Sequence, residues 1–432
     1  MGDALRERLA AIVGDEHVMA PVDSSIDGVI PCFVARPRDV DQVSRLLAQA
    51  HADGLVVVPR GAGTALGLGN PPTRVDLVLD LSLLNRVVEY EPADVSVSVE
   101  AGMTLDELDR LLGKHRQFLP LDPPGWRQRT VGGALAANAS GPLRSRYGTG
   151  RDALLGVRFV RADGSVTWGG SKVVKSVTGY DVPKLMVGAL GTLGVIVETT
   201  LRLHPAPDSE RSWLYGFGSL AAARGFLASM FDSALQPSRV EVLNGPALAA
   251  AGQHATAGVA VSIASVEEAV RAQGEALSAL SAKAGGAGLP LGDDFWDVYG
   301  VALARTGAGD VRLRIACLAA SVTDTIATLE GLSRDRGLHA RVGGSAAVGA
   351  LTAVLAGDCA ADAWERLVLA PLRGGLAGEG GSVIVEQCPR AVKEHVDVWG
   401  PVDPAVFAVM KRIKTEFDPT GVLNPGRYVG RL

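Results

Sequence analysis

The stretch Pro59-Arg60-Gly61-Ala62-Gly63-Thr64-Ala65-Leu66-Gly67-Leu68-Gly69 runs straight into Pro71 and Pro72, and this pairing restricts the fold more than any other feature of the chain. The residues before it, Leu55 to Pro59, read as a buried strand, and Val75 to Asp80 read as the next one. A glycine loop behind a strand suggests a dinucleotide-binding turn, with Asp80 near the place of a ribose-binding acid. Two features argue against that turn. Gly67 comes one residue late for the fingerprint, and the two prolines remove the crossover helix whose N-terminus would hold a pyrophosphate. An irregular loop still suits phosphate, because successive backbone N–H groups form a concave nest and missing side chains allow close approach. Arg60 and the Thr64 hydroxyl are placed to add donors.

Two further clusters of small residues follow. Thr130-Val131-Gly132-Gly133-Ala134-Leu135-Ala136-Ala137-Asn138-Ala139-Ser140-Gly141 has almost no bulk, so its backbone can lie against a flat ligand while Asn138 and Ser140 offer hydrogen bonds. Gly188-Ala189-Leu190-Gly191-Thr192-Leu193-Gly194 leads into a strand from Val195. Taken singly, each also fits a plain turn or tight helix packing.

Regular elements frame these loops. Val40, Val43, Leu46, Leu47 and Ala50 recur on one helical face that Gly54 is placed to end, and Thr104 with Glu107 forms a capping box for a helix through His115. Strands are expected at Val95 to Val99, at Leu154 to Ala162 turning back toward Val166, and at Val195 to Leu203, which stops before Pro205 and Pro207. Beyond Pro207 the order strand-helix-strand occurs twice, joined by a linker at Gly285 to Gly288, with Ser265 and Glu268 expected to cap one helix. This order predicts ferredoxin-like packing, an antiparallel sheet covered by helices. In the last helix Phe407, Met410, Ile413 and Phe417 share a face expected to pack back on the N-terminal part, with Lys411 and Lys414 in water. The expected division is 1–207, 208–404 and a returning segment 405–432.

At 432 residues and 47% hydrophobic, the chain can bury large cores. Its 42 basic and 47 acidic residues leave a net charge of −5 with no dense basic block, which argues against nucleic acid. The polar helix expected from Asp3 to Val13 lacks the apolar core of a signal peptide, and no apolar run is long enough to span a bilayer, so a cytoplasmic location without membrane insertion is expected. Cys32, Cys317, Cys359 and Cys388 lie far apart, as buried thiols do, and none of the seven histidines has metal-ligand spacing, so no metal site is expected.

The three clusters in this order, with Asp80-Leu81-Ser82 and Tyr147-Gly148 between them, resemble the FAD domain of the vanillyl-alcohol oxidase and p-cresol methylhydroxylase (PCMH) superfamily, from about Pro31 to Pro207. The closing run Phe417-Asp418-Pro419-Thr420-Gly421-Val422-Leu423-Asn424-Pro425-Gly426-Arg427 resembles that of its glycolate and D-lactate dehydrogenase branch. The resemblance implies an α+β fold in which a PCMH-type FAD-binding domain of two α/β subdomains precedes a ferredoxin-like cap. It implies that Arg60, Gly61, Ala62, Gly63, Thr64 and Ala65 hold the FAD pyrophosphate. Thr130, Gly132, Gly133, Ala136, Asn138 and Gly141 would approach the ribityl and ring, Ile196 the adenosine side, and Asp80, Tyr147, Gly194 and Asn424 complete the expected cofactor set. Some relatives attach flavin through a histidine where this chain has Thr64, whose hydroxyl lacks a nucleophilic imidazole, so non-covalent FAD is expected.

The second part departs from D-2-hydroxy-acid dehydrogenases of the family, which carry clustered histidines and an acid there; this chain reads Val383-Ile384-Val385-Glu386-Gln387-Cys388-Pro389. Glu386 is the expected stand-in base and Arg427 the expected carboxylate clamp. The pattern resembles the FAD-binding subunits of bacterial glycolate oxidases, which work with a second flavoprotein and an iron-sulfur protein. Three functions follow: such a subunit acting on a small 2-hydroxy acid, a self-sufficient D-lactate or D-2-hydroxy-acid dehydrogenase, or a structural FAD-containing subunit. In the first case, contact with the inner membrane would be peripheral and made through partners.

Overall fold

The computed structural model describes residues 2–22, 24–171 and 179–432. The first sheet holds β1 (Val18–Met19), β2 (Phe33–Ala35), β3 (Val57–Arg60) and β4 (Leu77–Asp80) in the order β1-β2-β4-β3. β2 and β3 both run parallel to β4. Val57, Val58, Leu77, Val78 and Leu79 are fully buried, as expected for parallel strands covered on both faces. The covering helix, Val40–Asp53, starts where Asp39 accepts a hydrogen bond from the Gln42 amide at 2.8 Å and ends at Gly54, whose φ of 63° suits glycine. Between β3 and β4 the chain forms no helix, as the proline pair requires.

The second sheet is antiparallel throughout: β5 (Val87–Glu91), β6 (Ser96–Glu100), β7 (Leu154–Val160), β8 (Val166–Gly170) and β9 (Val195–Arg202), ordered β5-β6-β9-β7-β8. Its helix Leu105–Gly113 carries the Thr104 and Glu107 capping box.

The third sheet has eight strands: β10 (Ser209–Phe217), β11 (Arg239–Asn244), β12 (Ala257–Ser265), β13 (Ala287–Pro290), β14 (Val311–Ala316), β15 (His339–Ser345), β16 (Ala350–Ala356) and β17 (Ser382–Gln387). Their order is β13-β10-β12-β11-β15-β16-β14-β17. Each half is a βαββαβ unit in the ferredoxin-like order, and the halves meet at β11 and β15 through three residue pairs, Glu241 with Ser345, Val242 with Gly344 and Leu243 with Gly343. One apolar core under the helices, including Phe226, Val259, Leu313, Ile326 and Trp364, spans both units.

Three local expectations are corrected. Ser265 does not cap a helix: it stays in β12 opposite Ser209, and the helix Glu267–Lys283 begins behind Val266 with no side-chain cap. The glycine linker is not a free connection, since Ala287–Pro290 pairs with β10 as the edge strand β13. Lys414 does not face water, whereas Lys411 does. In the helix Pro404–Phe417 the Lys414 Nζ donates to the Thr192 carbonyl at 2.8 Å and the Leu423 carbonyl at 2.9 Å, and pairs with Asp418 at 2.6 Å. Ile413 and Phe417 from the same helix pack on the core of the second sheet, so the returning segment is fastened by both apolar and ionic contacts.

Candidate active site

The three small-residue clusters and the C-terminal run converge on one narrow cleft of about 90 Å³, lined by Arg60 to Leu66, Leu68, Thr130, Gly132, Gly133, Ala136, Ala137, Leu190, Gly191, Gly194, Ile196, Asn424 and Arg427. The closeness is steric: a Cβ on Gly61 would lie 2.1 Å from Thr130 Oγ1, so only glycine lets the first cluster touch the second. The amides of Ala62, Gly63, Thr64 and Ala65 donate to no acceptor among the described residues. Asn424 sends its side-chain N–H to the Leu190 carbonyl at 2.6 Å, while its buried Oδ1 has no donor. Free amides without bulk around them fit a pyrophosphate, and the orphaned Asn424 oxygen fits a ligand donor.

Several expected residues stand elsewhere. Arg60 is not free to reach a phosphate, because its guanidinium pairs with Asp80 at 2.8 Å and donates to Ser24 at 3.1 Å. Arg60 thus lines the cleft with its charge already matched, and Asp80 itself lines neither cavity. Tyr147 also lies outside both; its ring meets His204 edge-on at 4.9 Å and Phe118 at 5.5 Å, backing the wall that Phe118 forms. Asn138, at φ 46°, and Gly141 line a larger neighbouring cavity.

That cavity, about 920 Å³, shares Gly63, Thr64, Ala65, Leu68 and Ala137 with the cleft and is walled on its far side by the third sheet. Seven arginines line it: Arg127, Arg129, Arg144, Arg211, Arg239, Arg312 and Arg314. Five have carboxylate partners: Arg127 pairs with Asp106 and Asp297 at 3.2 Å, and Arg211 with Glu267 at 3.3 Å. Arg312 and Arg314 both bind Glu386, the former at 3.0 Å, and Arg239 binds Asp122 at 3.3 Å and also Glu210. Arg129 spends only Nε, on the Pro124 carbonyl at 2.9 Å, and the Arg144 guanidinium has no hydrogen-bond partner among the described residues. Burial lowers the affinity of both for their proton, a strain that an incoming anion relieves.

The two cavity glutamates differ sharply. Burial alone would raise Glu386, but Arg314, Arg312 and Arg129 outweigh it and hold the carboxyl down at about 2. The expected base is therefore corrected: a carboxylate committed to two guanidiniums has little affinity for a substrate proton. Glu241, on β11, is pushed up to about 8 by burial, against the hydrogen bond it accepts from the Tyr299 hydroxyl. Its Oε1 is buried without a donor, and Asp122, Arg144 and Arg239 are the other charged groups acting on it. Sequence reasoning missed Glu241 and Tyr299. The available signals were an acid alternating with Val240 and Val242 on a buried strand, and an aromatic helix, Phe295–Ala304, to cover its outer face.

Arg427 is likewise corrected as a clamp. It is 3% exposed, and its guanidinium donates to the carbonyls of Leu66 and, at 2.8 Å, Leu68, so its charge is turned onto the first glycine loop rather than into the arginine-lined cavity. Among the described residues no group of His, Cys, Asp or Glu is arranged to hold a metal, and no helix is long and apolar enough to cross a membrane.

Two sheets meeting at a glycine-lined cleft, with a neighbouring cavity walled by a third, antiparallel sheet, give the arrangement against which the known proteins compare. Residues 31–170 match the FAD binding domain family, and residues 401–428 match the C-terminal domain of FAD linked oxidases. The chain is 31% identical over 233 residues to glycolate oxidase subunit GlcD of Bacillus subtilis, covering 54% of this chain and 50% of that one. It is 35% identical over 216 residues to the mitochondrial D-lactate dehydrogenase [cytochrome] of Arabidopsis thaliana, covering 50% and 38%. These matches span half or less of those relatives' lengths. An uncharacterised FAD-linked oxidoreductase of Mycobacterium tuberculosis matches at 26% identity across 99% of this chain and 95% of its own. The structure of p-cresol methylhydroxylase superposes with a TM-score of 0.76 at 16% identity, covering 98% and 96%, which establishes the shared fold.

Proposed function

We propose that this FAD-linked oxidoreductase oxidises a small 2-hydroxy acid, glycolate or D-lactate, as the FAD-binding subunit of a glycolate oxidase assembly with a second flavoprotein and an iron-sulfur subunit. The observation that carries the substrate class is the cavity beside the cleft, where Arg129 and Arg144 keep guanidinium groups without carboxylate partners. A carboxylate there gains charge-assisted hydrogen bonds in a site largely shielded from water. In this reading the loop amides from Ala62 to Ala65 hold the pyrophosphate, and the Thr130 to Gly141 segment, Ile196 and Asn424 flank the rest of a non-covalent FAD. Bound FAD supplies a two-electron acceptor. Arg144 and Arg129 orient the carboxylate, and Glu241, steadied by Tyr299, takes the hydroxyl proton in place of the missing histidines. The division at residues 207 and 404 assigns the cofactor to the first part and the cavity wall to the second.

Electrons would leave through partners, since the four cysteines are free and dispersed and offer no cluster site. The test is anaerobic mixing of the FAD-loaded chain, alone and with co-purified partners, with glycolate, D-lactate or D-2-hydroxyglutarate, following flavin absorbance. Bleaching only with partners present supports the assembly. Fast bleaching and dye-coupled turnover by the isolated chain would favour a self-sufficient dehydrogenase. No bleaching under any condition would sink the oxidase reading.

A further inference from the structure

The first glycine loop is gripped from behind. Lys393, 1% exposed and in the short helix Arg390–Lys393, directs Nζ to the carbonyls of Gly67 at 2.5 Å and Gly69 at 3.2 Å. The Arg427 guanidinium takes the carbonyls between and before them, Leu68 and Leu66. Four consecutive carbonyls thus end on two buried cations that come from segments more than three hundred residues away. Both Asp27 oxygens lie 2.9 Å from Lys393 Nζ, and Asp27 also acts on Arg427.

Two cations against one acid leave one net positive charge beneath the loop. In front, the loop's own Arg60 is neutralised by Asp80, and the Ala62 to Ala65 amides are unpartnered. A nest of amides carries only partial charges, so a dianionic group bound there gains further from a fixed cation close by.

We propose that Lys393 and Arg427 form a cationic platform behind the loop that sets its shape and supplies the fixed positive charge for the FAD pyrophosphate, with Asp27 setting the net value. Lys393 is a positioning residue: it acts through the loop it holds. Because the platform joins the segment after β17 to the cofactor loop, FAD binding and seating of that segment reinforce one another.

The test is FAD affinity of the flavin-stripped chain, read by flavin fluorescence at several salt concentrations without substrate, so it is independent of which acid is oxidised. Lys393→Gln should weaken binding about ten- to a hundredfold at low salt and flatten its salt dependence, while Lys393→Arg should stay within about threefold of wild type. Asp27→Asn should bind FAD more tightly than wild type, because the platform loses its compensating acid. A purely structural brace predicts the opposite sign for Asp27→Asn. Weaker FAD binding in that variant, or an unchanged affinity and salt slope in Lys393→Gln, would overturn the proposal.

Discussion

Glu241 and Glu386 show how the same side chain acquires opposite acidity within one cavity. Glu386 has two arginines within ion-pair reach; Glu241 has a phenol, a neighbouring acid and an oxygen without a donor. Because the Glu241 carboxyl is raised from about 4.5 unfolded to about 8 folded, its protonated form favours the fold. That contribution is complete below the unfolded value and is lost as pH climbs through 8. Glu241→Gln should therefore gain stability relative to wild type between pH 5 and pH 9, by on the order of 3–5 kcal/mol, seen as a widening difference in thermal midpoints. Arg144, in the proposed role, acts on substrate rather than on stability. Arg144→Met should raise KM for the hydroxy acid about ten- to a hundredfold, as loss of a charged hydrogen bond costs about 1.5–3 kcal/mol, while bound flavin per chain stays constant.

Elements were legible where local chemistry decides them. Asp39, Gly54 and the Thr104 to Glu107 box begin or end helices through contacts within a few residues, and such contacts are written in the sequence. Ser265 carried the same signal and failed, because pairing with Ser209 across the sheet keeps it in a strand. Lys414 failed for a related reason: its acceptors, Thr192 and Leu423, are brought by the tertiary fold, and only Asp418 lies one helical turn away. Lys414→Met should cost about 3–5 kcal/mol, since it leaves Asp418 buried without its ion partner, and urea unfolding would measure it. The glycine clusters announced a cofactor cleft, yet not that they touch. Gly61→Ala should lower FAD affinity at least about tenfold by driving Thr130 away, whereas a plain surface turn would tolerate the change; equilibrium titration with FAD decides.

At the scale of the whole molecule, the order of strands and helices gave the architecture, and the cavity stayed hidden. Its seven arginines are spread from residue 127 to residue 314, and nothing short of the folded third sheet collects them beside the cleft. The glycine clusters that line the cleft are visible in the sequence because they come in runs; the residues proposed for the chemistry, Glu241, Tyr299 and Arg144, are not, because they are single residues on three different elements. The same architecture accounts for how FAD is retained, by a cleft walled from four separate stretches of chain and with threonine at position 64. Acid precipitation should consequently leave the flavin in the supernatant, where absorbance detects it; yellow pellets would indicate a covalent bond.

The ladder between β11 and β15 pairs three residues on each strand, two of the pairs ending in glycine, and Glu241 is one of the six; Asn244 on β11 adds side-chain hydrogen bonds to Ala340 and Val342 on β15. Opposite Glu241, Ser345 reaches across to Ser145 at 2.8 Å, tying the same spot to the cofactor-bearing part. The spine along which the two mirrored halves are bound is thus also where the acid of the site is seated. Since a shared core and the Asn244 bonds hold the halves together around it, the carboxyl of Glu241 sits where neither half can shift without carrying the other, and its distance to the cofactor-bearing part is fixed by the whole sheet.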